Sequence, residues 1–240
     1  MGTGTLSNRR IAIFDDNHLN LERLTDMVTR CGATPVPVDG PVPRLNEFKA
    51  FLDSLQTDLV ICDHHLSLQR DYAPFLGAEA VAMCYVNGIA AILVTAFENA
   101  DAESSLRKFR RHIPALVRSP DDFNKAHLEA ALLQAEKEVY EQSPPPERVP
   151  HRVIMTIKRI EQRASMKIVK VMMAQWDATK EIGFPLDLIP MQFHPEVRSG
   201  NFLIAEVNVE AKRQEDLFFD NFELPNPDVL KNAQSLFECS

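Results

Sequence analysis

Five short apolar runs, each separated from the next by a stretch of helical period, constrain this chain more than any other feature. They are 10–14, 34–38, 58–62, 90–94 and 114–117. None alternates polar with apolar in the manner of a half-exposed strand, so each reads as a strand covered on both faces. After the first run, Leu19, Leu21, Leu24, Met27 and Val28 fall on one face of a helix near 18–31, which Gly32 terminates. Further helices are expected near 44–55, 76–86 and 100–111, with Asn87-Gly88 as a turn. A last helix is expected to open near Asp121-Asp122, whose carboxylates suit a helix N-terminus, and to run to about Tyr140. Short connections between such units predict an α/β fold, a doubly wound five-stranded parallel sheet with helices on both faces.

The residues that end these runs are chemically pointed. Ile11–Phe14 leads into Asp15-Asp16, the third run into Asp63, the fourth into Thr95 and the fifth into Arg118. The carboxyl ends of neighbouring parallel strands line one crevice, where ligands of open α/β sheets bind. Three carboxylates, a hydroxyl and a fixed cation would therefore converge there. Close carboxylates repel unless a cation compensates them, and a cluster of oxygen donors favours Mg²⁺. Phosphoryl transfer needs mainly positioning and neutralised oxygens, so this is equipment for capturing a phosphoryl group on an aspartate. Taken singly, an Asp-Asp pair after a strand is as readily a helix N-cap; the conjunction at four strand ends is what carries weight.

Residues 9–140 resemble the receiver domain of bacterial two-component response regulators. Asp15-Asp16 match that family's acidic pair, Asp63 its phosphoacceptor and Thr95 its hydroxyl after strand four, while Arg118 stands where lysine is usual. The resemblance implies a flavodoxin-like fold and Mg²⁺ held by Asp16 and Asp63, by Asp15 through water, and by the backbone carbonyl of His65. It also implies phosphate readout by Thr95 and Arg118, and a histidine kinase or phosphotransfer protein as partner. The sequence departs from the family at three places. Arginine differs from lysine in reach and geometry, Ser119 intervenes before Pro120, and Ala115 occupies the position of a common switch aromatic. Those departures admit a degenerate receiver that docks partners without phosphorylation. As the substrate of a kinase, the chain is not expected to be an enzyme. A homodimer through Leu106, Phe109, Ile113 and the face of 126–133 is a further expectation, although these residues are equally suited to the interior.

His64 and His65 are adjacent, so their side chains are expected to diverge as loop histidines facing solvent, as is that of His18. The four cysteines, Cys31, Cys62, Cys84 and Cys239, follow neither a metal nor a disulfide pattern. No phosphate-binding glycine loop appears, and no organic cofactor is expected.

A polar stretch with four prolines, 141–150, reads as a stiff exposed linker that separates a domain at 1–140 from one at 151–240. Beyond it, strands are expected near 153–160, 166–173, 179–184, 201–211 and 216–222, which suggests a small all-β, barrel-like output domain. Trp176, Phe218, Phe219 and Phe222 are expected in its core. Arg152, Lys158, Arg159, Arg163, Lys167 and Lys170, with only Glu161 among them, offer a basic hairpin to nucleic acid or a nucleotide. A solvated face is the plainer reading, since the chain carries a net charge of −8. Phe193–Glu196 reads as a turn. The N-terminus lacks an apolar signal core and no run reaches the roughly 18–20 apolar residues of a membrane span. A cytoplasmic protein is expected.

Overall fold

The structure is a computed structural model that describes residues 5–66, 72–96, 102–119 and 122–226. Pro120, Asp121 and Cys239 lie outside the described residues. Two compact units result. One comprises residues up to 96 with 109–145; the other comprises 102–108 with 146–226. The chain therefore passes between units not only at the proline-rich stretch but also on either side of 102–108.

In the first unit, strands β1 (Arg10–Phe14), β2 (Thr34–Val38), β3 (Leu59–Asp63), β4 (Ala90–Thr95) and β5 (Leu116–Arg118) pair in parallel in the order β2-β1-β3-β4-β5. That is the flavodoxin-like order, with a switch point between β1 and β3. Helices α1 (His18–Arg30), α2 (Leu45–Leu55), α3 (Gly77–Val86) and α5 (Lys125–Tyr140) accompany the sheet, whereas the short α4 (Ser105–Phe109), although it follows β4 in the chain, belongs to the second unit up to residue 108. β2 can afford Pro35 and Pro37 because it is an edge strand: alternate residues turn their missing N–H groups to the same, unpaired side.

Helix α1 is capped by Asn17, whose side chain accepts from the N–H groups of Leu19 and Asn20, and Gly32 takes φ +82° just past its end. Leu21, Leu24 and Val28 enter the core with Ile11, Ile13, Ile61 and Ile92. Leu19, expected on the same face, is exposed instead, because two residues before Leu21 it stands roughly 200° around the helix, opposite the buried stripe. α5 begins after Asn124, which accepts from the N–H of His127 at 3.1 Å, later than Asp121-Asp122 suggested. Leu128, Ala131 and Leu132 join the same core, and Leu106 and Ile113 are buried too. Most of the surface expected to form a dimer is thus internal.

The second unit is an antiparallel sheet in the order β10-β9-β6-β7-β8: β6 (His151–Arg163), β7 (Met166–Met173), β8 (Asp177–Pro185), β9 (Phe202–Val207) and β10 (Phe219–Glu223). The long β6 pairs with β9 through its first half and with β7 through its second, with a register shift between Ile157 and Arg159. Such a bulge bends the strand and lets the sheet curl. Phe184 of β8 lies 4.6 Å from Phe219 and 5.4 Å from Phe222 of β10, ring centre to ring centre. The sheet is barrel-like, but its edge strands meet through aromatic rings and not through a backbone ladder. Val153, Met155, Ile157, Leu203 and Leu217 fill its interior. Trp176 packs against that interior and donates its indole N–H to Ala211 O at 2.8 Å. The 141–150 stretch is not wholly a solvated linker, since Arg148 is buried with its guanidinium 5.6 Å from the Phe218 ring.

Candidate functional site: the carboxyl edge of the parallel sheet

Strand register decides which side chains meet. Phe14 pairs with Cys62 and Asp63 with Val94, so Asp15 and Asp63 emerge side by side from β1 and β3. Thr95 pairs with Arg118 one residue further along β4 and β5. Asp15, Asp63, Thr95 and Arg118 therefore share one edge of the sheet. Asp16 follows at the surface, partly exposed, and His65 stands two residues beyond the end of β3.

This edge is electrostatically uncomfortable. Asp15 is only 4% exposed. Burial, assisted by the charges of Asp63 and Asp16, pushes its carboxyl up to about 7, although the Asn17 N–H donates to Oδ1 at 2.9 Å. Asp63 is likewise raised, first by burial, and is drawn back by N–H donation from His65 (2.8 Å to Oδ2) and His64. Thr95 is 1% exposed and its Oγ1 has no hydrogen-bond partner among the described residues. A buried hydroxyl without a partner is costly in a finished core, and it marks a place where an acceptor is missing.

These donors fit Mg²⁺. Among the described residues no three His, Cys, Asp or Glu side chains gather into a ready-made cage. Mg²⁺ is typically held by one or two carboxylates together with water and phosphate oxygens. Two neighbouring carboxylates whose protons are hard to remove have the chemistry such an ion would satisfy.

Three features of the edge went unread in the sequence. Gly77, first residue of α3, crosses directly over β3: a Cβ there would lie 1.7 Å from Asp63 O, and its N–H donates to His64 O at 2.9 Å. Only glycine allows that approach, and it fixes where the chain leaves Asp63. Asn17 both caps α1 and holds Asp15. The adjacent histidines do not diverge: their rings meet edge to face, centres 4.6 Å apart, with His64 fully buried. The bend at the end of β3 breaks the alternation on which the opposite expectation rested. His18 is exposed as expected.

The basic hairpin is largely paired with acidic residues. Arg152 pairs with Glu223 at 2.7 Å, Arg159 with Glu161 and Glu181, and Arg163 with Glu161 and Glu103. Lys170 is buried against Glu103 at 2.7 Å. Glu103, Glu181 and Glu223, distant in sequence, together with Glu161 thus pair with four of the six cations of the stripe, and Lys158 and Lys167 are exposed.

No family model and no curated protein matches the chain. Among the solved structures similar to it are receiver domains. The signal receiver domain of an HD domain-containing protein from Pseudomonas fluorescens Pf-5 shares 19% identity, with 59% of this chain and 97% of that one covered and a TM-score of 0.41. A response regulator receiver domain protein from Clostridium thermocellum shares 15%, covering 56% and 99%, with a TM-score of 0.43. A CheY-like receiver domain protein from Methanospirillum hungatei JF-1 shares 18%, covering 57% and 100%, with a TM-score of 0.43. The receiver-like fold itself rests on the strand order and register given above. No described helix is long and apolar enough to cross a membrane.

Proposed function

We propose that the parallel-sheet unit is a phosphoryl-accepting receiver of the two-component type, and that the antiparallel unit is its output. Asp63 is the acceptor. Its carboxylate oxygen forms a bond to phosphorus as the P–N bond of a phosphohistidine breaks, and the electron pair leaves with the imidazole nitrogen. Asp15, Asp16, Asp63 and the His65 carbonyl would hold Mg²⁺, which when bound offsets the charge between carboxylate and phosphoryl oxygens. Thr95 Oγ1 would donate to a phosphoryl oxygen and Arg118 would supply positive charge to another. The donor is a histidine kinase or phosphotransfer protein in the cytoplasm. The chain acts as substrate and not as enzyme.

The observation that carries this reading is the unpartnered Thr95 hydroxyl at the same sheet edge as two carboxylates that resist ionisation. Intact-protein mass after incubation with Mg²⁺ and acetyl phosphate tests it. The native chain should gain one phosphoryl group and Asp63→Asn none. No adduct on the native chain, with a phosphoramidate donor failing as well, would leave a degenerate receiver that serves as a docking surface.

A further inference from the structure

Tyr72 stands between β3 and α3 in the chain, yet its hydroxyl acts at the far side of β1, all within the parallel-sheet unit. The residue is 7% exposed, and its Oη donates to the carbonyl of Val38, the last residue of β2, at 2.7 Å. Strand register shows what that bond displaces. Phe14 pairs with Val38, and the N–H of Thr34 donates to Arg9 O at 2.8 Å. In a parallel ladder alternate residues face the same neighbour, so the next rung would run from the Asp15 N–H to Val38 O. Tyr72 occupies that rung, because the Asp15 N–H is directed at the same phenol oxygen that donates to Val38. A hydroxyl can accept and donate at once, and a buried phenol is held where its O–H finds a partner. The main chain of Tyr72 is latched as well. Its carbonyl accepts from the Val42 N–H at 2.7 Å, and the Ala73 N–H donates to Leu66 O at 3.2 Å. Leu66, three residues after Asp63, is fully buried, which ties Tyr72 to the end of β3.

We infer that Tyr72 is a positioning residue of the phosphoryl site: its hydroxyl replaces the last rung between β1 and β2 and so sets, through the main chain, where the Asp15 carboxylate stands relative to Asp63. The inference rests on the reading that Asp15 and Asp63 hold Mg²⁺. β2 and β3 flank β1 on opposite sides. A direct rung to Val38 would draw the Asp15 main chain toward β2 and away from Asp63. The interposed phenol oxygen holds β1 off β2 at that level and keeps Asp15 on the β3 side. Tyr72 follows Asp63 in the chain, so the acceptor's own connection supplies the group that places its acidic neighbour. Residues that orient metal-binding groups without touching the ion commonly change its affinity by about 10–100-fold.

Tyr72→Phe on the full chain removes the oxygen and keeps the ring. It should weaken Mg²⁺ binding, measured by calorimetric titration, about tenfold or more. It should also move the amide proton resonance of Asp15 while that of Ile92 in β4 stays. Leu24→Ala, which loosens the same unit from α1, should lower the thermal transition and leave Mg²⁺ affinity native. Native affinity in Tyr72→Phe would overturn the inference. Equal weakening in Leu24→Ala would overturn it too, by reducing the hydroxyl to a support of the fold. Should Tyr72→Phe fail to fold, 3-fluorotyrosine in the otherwise native chain takes its place. Mg²⁺ should then shift one of the three tyrosine fluorine resonances, and three unmoved resonances would overturn the inference. No Mg²⁺ binding by the native chain would overturn the phosphoryl reading and the positioning role together, while the Asp15 amide resonance still decides whether the hydroxyl bridges β1 and β2.

Discussion

Two buried carboxylates, one in each unit, receive opposite treatment. Glu103 has a lysine on both oxygens, an arginine beside it and a glutamine within reach. Asp15 has the Asn17 N–H, the Asn20 side chain, two acidic neighbours and a carboxyl still pushed up to about 7. Burying a charge is expensive in either place, and of these two carboxylates only Glu103 has cations of the protein beside it to offset that cost. The difference separates a carboxylate that serves the fold from one left waiting for something the fold does not contain. The Thr95 hydroxyl, buried a strand away from Asp63, makes the same point for a neutral group.

The comparison can be attacked at four places. Lys170→Met should have the largest effect, since it strands Glu103 with Arg163 as its remaining cation. A loss of about 3–5 kcal/mol is expected for removing one partner of a buried pair, read as the urea midpoint of exchange protection in β7. If the loss is small, Glu103 is less committed to the fold than its contacts indicate.

Asp15→Asn should act in the other direction. An acid whose folded pKa exceeds its unfolded value favours folding least once pH rises past both, so the native protein loses stability between about pH 4 and pH 7. Removing the charge should stabilise the metal-free parallel sheet at pH 8 by about 2–4 kcal/mol and do little below pH 4. Exchange of β3 amides at the two pH values reads this out. Saturating Mg²⁺ should narrow the gap between native and variant at pH 8.

Thr95→Val should be smaller. Losing a buried hydroxyl usually destabilises, but one without a partner should be neutral or stabilising by about 1 kcal/mol when replaced by an apolar isostere. Destabilisation would mean that the hydroxyl is satisfied. Least of all, Arg152→Ala should leave the thermal transition unmoved, because its pair with Glu223 lies in solvent.

What the sequence disclosed, and what it concealed, follows from range. The β1, β3, β4 and β5 ends were readable because an uninterrupted apolar run followed by one reactive residue is a local signal, and parallel pairing then brings those ends together. Trp176 and Phe219 were expected in the core because aromatic burial needs no knowledge of partners. Charge was where local reading failed. Lys170 looked like one member of a basic stripe, since Glu103 and Glu181 approach it and Arg159 only after folding. His64 and His65 looked divergent because strand alternation was carried one residue past the end of β3. Gly77 had a visible signal, one of only eight glycines placed at a helix start, but the reason for it is a crossing of two segments that no window of sequence contains.

The division of the chain at 102–108 bears on how such a protein could be assembled from parts. Its proline-rich stretch invites treatment of everything after it as a cassette to be transplanted behind any other receiver. A chimaera cut there would arrive with Lys170 buried without Glu103 and with the Leu217 and Gln214 carbonyls deprived of Arg107. The donor's crossover would have to travel with the cassette, so exchange of modules by simple end-to-end fusion is closed to it, and the two halves must change together.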